Sequence, residues 1–183
     1  MAIKVKTAQE LANILREGGS CRVGIDGIDG CGKTTLAKYL AEQLKVKLIS
    51  LDDYLIKNQG SYLKSLRYEA IRMACFTQPR YIVEGVCLLQ VLKTTGLEID
   101  TLVYVKRMQH GAWADKRVCD INENVDTFVE GEMKLDEILS ARDANHSGNS
   151  SSALPRIEEE IIRYHASYKP FTKAAVWYLR DDC

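Results

Sequence analysis

The chain has 183 residues, the size of one ordinary domain, and no Pro- or Ser-rich linker divides it, so a single domain over 1–183 is expected. Lysine plus arginine equal aspartate plus glutamate at 25 each, so the overall charge offers no attraction for nucleic acid or a membrane surface and predicts neither as a partner. With 46% hydrophobic residues, no apolar run near the roughly 18 residues a membrane span needs and no apolar signal core after Met1, the expectation is a soluble cytoplasmic protein. Six cysteines, at 21, 31, 75, 87, 119 and 183, lack any C-x-x-C pair or neighbouring His cluster, which argues against zinc and against a disulfide framework.

Thr7-Ala8-Gln9-Glu10 is a capping-box pattern that opens a helix to about Glu17, closed by Gly18 and Gly19. Residues 21–26 are short and apolar enough for a buried parallel strand, and Leu36, Ala37, Leu40, Ala41 and Leu44 then recur at helical spacing. A second strand over 47–51 ends at Asp52-Asp53, and a helix is expected over 61–75. A third strand over 81–83 ends in Glu84-Gly85, a leucine-rich helix runs to about Lys93, and a fourth strand covers 101–105. The stretch 106–126 is polar and basic, 145–152 looks like a mobile loop tip, a last helix starts near Ile157, and 175–179 make a fifth strand. Strands alternating with helices predict an α/β fold whose five-stranded, mainly parallel sheet carries helices on both faces, with ligands gathering at the carboxyl ends of the strands.

Between the first of these strands and its helix, residues 27–34 read Gly-Ile-Asp-Gly-Cys-Gly-Lys-Thr, the G-x-x-x-x-G-K-S/T pattern of a phosphate-binding loop. Glycines let backbone N–H groups turn toward phosphate oxygens, the lysine neutralises them, and the hydroxyl after it ligates a metal. Strand, glycine loop and helix N-terminus in that order also aim the positive end of the helix dipole at the anion. The expected nucleotide contacts are Gly27, Ile28, Asp29, Gly30, Cys31, Gly32, Lys33, Thr34 and Thr35, with ATP and Mg²⁺ as the bound species. Cys31 lies inside the loop, either as a tolerated small residue or as a thiol whose oxidation blocks nucleotide.

Ile49-Ser50-Leu51-Asp52-Asp53-Tyr54 resembles the segment after the second strand in the uridine kinase and nicotinamide riboside kinase group, which includes the bacterial type of pantothenate kinase and phosphoribulokinase. Ile82-Val83-Glu84-Gly85 is similar to the third-strand motif of the same kinases, and Tyr164-His165-x-x-Tyr168-Lys169-Pro170 to their C-terminus. The resemblance implies the three-layer sandwich of the P-loop NTPases, with 106–155 as lid and mobile loop. It also implies Asp52 as the base that takes the proton of the acceptor hydroxyl, and Glu84 with Thr34 and Asp52 around Mg²⁺. Phosphoryl transfer rests mainly on positioning and charge neutralisation, so Lys33 joins Asp52 as a catalytic residue and Asp52 acts mainly by placement.

Arg107, Lys116 and Arg117 are candidates for a lid that reaches the transferring phosphate, the alternative being a solvated basic face. Asp52, Asp53 and Glu84 read otherwise as solvated strand-end carboxylates. Only about 31 residues separate Asp52 from Glu84, shorter than the uridine kinase resemblance implies, which suits a smaller acceptor or a different recognition surface, and Tyr54, Tyr62, Tyr68 and His110 are candidates to line such a pocket or else to join the core. Three functions fit: a small-molecule kinase that transfers the γ-phosphate of ATP to a hydroxyl of a nucleoside or similar metabolite; a nucleoside monophosphate kinase, since Gly27-Ile28-Asp29-Gly30 also resembles thymidylate kinase; and a nucleotide-binding regulatory module without transfer activity. Self-association is left open.

Overall fold

The computed structural model describes residues 2–56, 61–143 and 156–181. β1 (Ile3–Val5) leads to α1 (Ala8–Glu17), β2 (Arg22–Asp26), α2 (Lys33–Leu44) and β3 (Lys47–Ser50). Then come α3 (Tyr68–Phe76), β4 (Tyr81–Glu84), α4 (Leu88–Thr95), β5 (Thr101–Gln109), β6 (Ala112–Trp113) and α5 (Lys116–Cys119). The order closes with α6 (Val125–Asp143), α7 (Arg156–Tyr168), α8 (Pro170–Lys173) and β7 (Val176–Asp181).

The strands lie in the order β1-β7-β5-β2-β4-β3 and pair parallel throughout, while β6 folds back antiparallel on the end of β5. The sheet therefore has seven strands among the described residues where the sequence predicts five. β1 and β6, three and two residues long, are too short for a period-two pattern to reveal.

Both faces are covered because side chains alternate along each strand. Ile82, Val103 and Val105 join α1 and α2 in one core, while Tyr81, Val83, Leu102 and Tyr104 pack on the opposite face with α3, α4 and α7. On β2 the inward position under α4 is Gly24, where a Cβ would stand 2.6 Å from Ile99 and 3.0 Å from Leu88. The glycine lets helix and sheet approach closely.

Local signals explain the element ends. Thr7 caps α1 by accepting from the Glu10 amide at 3.2 Å, while the Glu10 carboxylate accepts from Lys6 N at 3.3 Å, one residue before the usual partner in a capping box. The helix expected over 61–75 is cut short. Residues 63–65 form one 3₁₀ turn, Leu66 is extended and bridges Leu55, and Ile56 N and Arg67 N bond to Ser65 O and Tyr54 O. Backbone groups engaged across that pairing cannot also serve a helix, so α3 begins only at Tyr68.

The lid expected from residue 106 starts inside the sheet, since β5 runs to Gln109. Lys106 is buried, its ammonium 3.3 Å from the ring centre of Trp177 and 4.0 Å from that of Trp113. Cation–π attraction lets a charged residue continue a strand, and burial, then the charge of Lys4, pulls its pKa down to about 8. Residues 145–152, expected as a loop tip, lie outside the described residues. Among the described residues no helix is long and apolar enough to cross a membrane.

Candidate active site

β2 lies between β4 and β5, where the chain changes direction across the sheet, and the carboxyl ends of such strands form a crevice. The loop 27–32 leaves β2 there. Gly30 and Gly32 hold positive φ values of 69° and 90°, and Gly32 caps the N-terminus of α2. A Cβ on Gly27 would stand 2.8 Å from Cys31 Sγ and 3.0 Å from the carbonyl of Val105, which leaves the loop no room for a larger residue.

Lys33 is buried, and its ammonium donates to the Ile28 carbonyl at 2.6 Å across the loop. Thr34, next along α2, donates its hydroxyl to Glu84 Oε1 at 3.2 Å. The same oxygen accepts from Ser50 Oγ at 2.6 Å, because the register of β3 on β4 sets Ser50 directly beside Glu84. Gly85 follows Glu84 because Leu51 packs onto it, and a Cβ there would stand 2.7 Å from the Leu51 side chain. That contact seats the 3₁₀ turn Leu51–Tyr54, which carries Asp52.

Asp52 accepts from the Tyr62 hydroxyl at 3.0 Å. Burial, and then the Asp52 charge, push the Tyr62 phenol far above its ordinary value, so it stays a donor. The segment holding Tyr62 is pinned to α7, where Glu160 accepts from Ser61 Oγ and from Leu63 N at 3.1 Å.

Lys33, Thr34, Thr35, Asp52 and Glu84 line one cavity of about 560 Å³ together with Asp29, Gly30 and Gly32. Leu55, Tyr62, Val86 and Ile157 form its apolar side, and Arg180 of β7 closes the loop side, its guanidinium within 3.4 Å of the Gly30 carbonyl. Ser50, Ile157 and Arg180 were not singled out by sequence reasoning. Ser50 could have been read from its place two residues before Asp52, whereas Ile157 and Arg180 arrive from elements more than a hundred residues away.

Other candidates lie elsewhere. Arg107 borders a neighbouring cavity beside Ile28, Asp29 and Gly30, and its guanidinium bonds to Asp115 at 2.5 Å. Arg117 lines a different cavity, where it stacks on Phe128, and it pairs at 2.5 Å with Glu132, which borders the cavity beside Ile28, Asp29 and Gly30. Lys116 pairs with Asp120 on the exposed side of α5. Of the four aromatic candidates only Tyr62 reaches the cavity. Tyr68 donates to the Leu63 carbonyl, Tyr54 lies under Arg67, and exposed His110 sits in the β5–β6 turn. Cys31 is buried in the loop, and burial raises its thiol pKa, which favours the unreactive protonated form.

Among the described residues no cluster of three or more His, Cys, Asp or Glu forms a metal cage. Thr34 and Glu84 instead offer an all-oxygen edge beside the loop, a set that suits Mg²⁺, which takes few protein ligands and fills its shell with water and phosphate.

The sequence model of the shikimate kinase family matches residues 29–68, from the phosphate loop past Asp52 and short of half the chain. No curated protein matches the sequence. Among solved structures, a possible uridine kinase from Bacillus stearothermophilus superposes with a TM-score of 0.54 at 15% identity, over 93% of this chain and 96% of that one. Shikimate kinase from Aquifex aeolicus covers 86% of each chain at 13% identity, with a TM-score of 0.43 that carries no weight for the overall fold. The parallel sheet, the phosphate loop leaving β2 and the likeness to the Bacillus protein together give the chain the fold of the P-loop kinases.

Proposed function

We propose that the protein is an ATP-dependent small-molecule kinase that transfers the γ-phosphate to a hydroxyl of a nucleoside or similar metabolite. The observation that carries this reading is the single cavity in which Asp52, held by Tyr62, faces Lys33, Thr34 and Glu84. A phosphate loop alone suits any NTPase, but a carboxylate fixed across from it gives an acceptor hydroxyl somewhere to bind. The match of residues 29–68 to a shikimate kinase model and the likeness to a possible uridine kinase are consistent with a hydroxyl acceptor.

In this reading the loop amides and Lys33 hold the β- and γ-phosphates, and Lys33 leaves the Ile28 carbonyl to do so. Thr34, Glu84 and Asp52 would hold Mg²⁺, which when bound neutralises charge on the phosphates. Asp52 orients the acceptor oxygen for in-line attack and accepts its proton as the new O–P bond forms and the bond to the leaving ADP oxygen breaks. The apolar side formed by Leu55, Val86 and Ile157 excludes water and so disfavours hydrolysis of ATP. Lys33 is the basic residue we place nearest the phosphates, with Arg180 in the same cavity and Arg107 bordering the neighbouring one beside the loop. Five described cysteines are free thiols, and we assign the protein to the cytoplasm.

The test is Mg²⁺-dependent ADP release screened against nucleosides, nucleoside monophosphates, pantothenate, shikimate and sugars, with Asp52→Asn alongside. Stimulation by an alcohol that the variant loses supports the reading. Tight ATP binding with no stimulated release by any acceptor removes it in favour of a regulatory module.

A further inference from the structure

One buried acid has no part in the chemistry above. Asp26, the last residue of β2, is wholly buried directly beneath the phosphate loop. It lies two residues beyond Gly24, and so on the face covered by α4 and α7. One carboxylate oxygen accepts from the Gly27 amide at 2.7 Å, and the other accepts from the hydroxyl of Tyr164 on α7. The Tyr164 oxygen in turn accepts from Leu89 N at 3.1 Å, at the start of α4.

A lone carboxylate in such a place is costly, and burial raises its pKa to about 6 against the hydrogen bonds that favour its charge. Beyond its hydrogen-bond partners Gly27 and Tyr164, the groups that interact with it electrostatically are Lys33 of α2, the Leu88 amide and Cys87 thiol at the start of α4, Cys31 of the loop, Tyr104 of β5 and Cys119 of α5. Lys33 is the cation in that set, and it is also the lysine that phosphate oxygens would claim.

We propose that Asp26 is a positioning residue of the nucleotide site, a counter-charge that holds the Gly27 amide, balances Lys33 while no phosphate is bound, and limits how tightly nucleotide is retained. The inference rests on the nucleotide-binding reading of the loop, and not on Asp52 or the acceptor. A fixed anion behind the loop repels the phosphates that Lys33 attracts, so nucleotide binds best when Asp26 is neutral. Tyr164 stabilises the charged form and links it to α7, the helix that also carries Ile157 to the cavity and Glu160 to the segment holding Tyr62.

The experiment is ADP binding in the presence of Mg²⁺, by calorimetry from pH 5 to 8, on the full chain and on Asp26→Asn. The variant keeps the side-chain shape and an acceptor for Gly27. It is expected to bind ADP roughly tenfold more tightly than the wild type above pH 7.5, with the two converging near pH 5, since ADP's own titration cancels in the ratio. A variant that binds no more tightly, or whose ratio to wild type does not change with pH, overturns the proposal and indicates a purely structural acid. If Asp26→Asn does not fold, Tyr164→Phe serves: loss of the phenolic donor moves the midpoint of the pH dependence upward, and an unmoved midpoint overturns the proposal. No ADP binding by the wild type removes the nucleotide reading of the loop and this inference with it.

Discussion

Tyr62 donates its hydroxyl to Asp52 at 3.0 Å, so the carboxylate that faces the phosphate loop is held by a residue ten positions further along the chain. The phenol is buried and protonated, and its segment is tied to Glu160 of α7. Asp52 is therefore aimed by tertiary structure, and its strand end alone does not fix its direction.

Two substitutions separate aim from chemistry. Asp52→Asn is predicted to abolish phosphoryl transfer while ATP binding stays within about twofold, and Tyr62→Phe to lower kcat by about tenfold to a hundredfold with the KM for ATP unchanged. Steady-state kinetics with ATP and acceptor varied separately reads both effects. A Tyr62→Phe enzyme with normal kcat would remove the positioning role of the phenol.

Ser50 offers a second test, because its hydroxyl and that of Thr34 converge on one oxygen of Glu84. Ser50→Ala should leave Glu84 held by Thr34 alone, and the Mg²⁺ concentration for half-maximal activity is expected to rise by about tenfold. The measurement is a Mg²⁺ titration at saturating ATP, and an unchanged requirement would separate Ser50 from the metal edge.

Gly85 packs against Leu51 with no space for a methyl group. Gly85→Ala is predicted to destabilise the fold by about 1–3 kcal/mol, because either the Leu51 side chain or the turn carrying Asp52 must move. Denaturant unfolding measures the loss, and activity at saturating acceptor should fall with it if the turn is what moves.

His165 gives a pH prediction with a definite sign. Its Nδ1 bonds to the Ile161 carbonyl and its Nε2 to the Tyr104 hydroxyl, both at 2.8 Å, and burial lowers its pKa to about 4. The unfolded chain, with the ordinary value of 6.5, binds more protons between those limits, so this residue's contribution is complete above pH 6.5 and lost as pH falls toward 4. The full swing is about 3 kcal/mol. His165→Gln should be less stable than wild type at pH 7, with the gap closing by pH 4. A gap that stays constant over that range would show that His165 is not buried neutral.

The parts of the site legible in the sequence are those that a short segment encodes by itself. The phosphate loop, the strand end at Asp52 and the Glu84-Gly85 pair carry their own spacing, and they converge because parallel strands end on one side. What stayed hidden depends on register and on distant packing. Ser50 meets Glu84 only through the β3–β4 alignment, and Arg180 reaches Gly30 only because β7 lies next to β5. Lys106 and Arg107 read as the start of a polar lid, yet they extend β5, because Trp113 and Trp177 that shelter Lys106 come from two other strands.

Phosphorus NMR of ATP, Mg²⁺ and an acceptor alcohol identified by ADP release tests the central claim most directly. The account predicts that the γ-phosphate signal of ATP gives way to a new phosphate-ester signal on the acceptor, in wild type but not in Asp52→Asn. ADP and inorganic phosphate as the only new signals, at the same rate with and without acceptor, would contradict it.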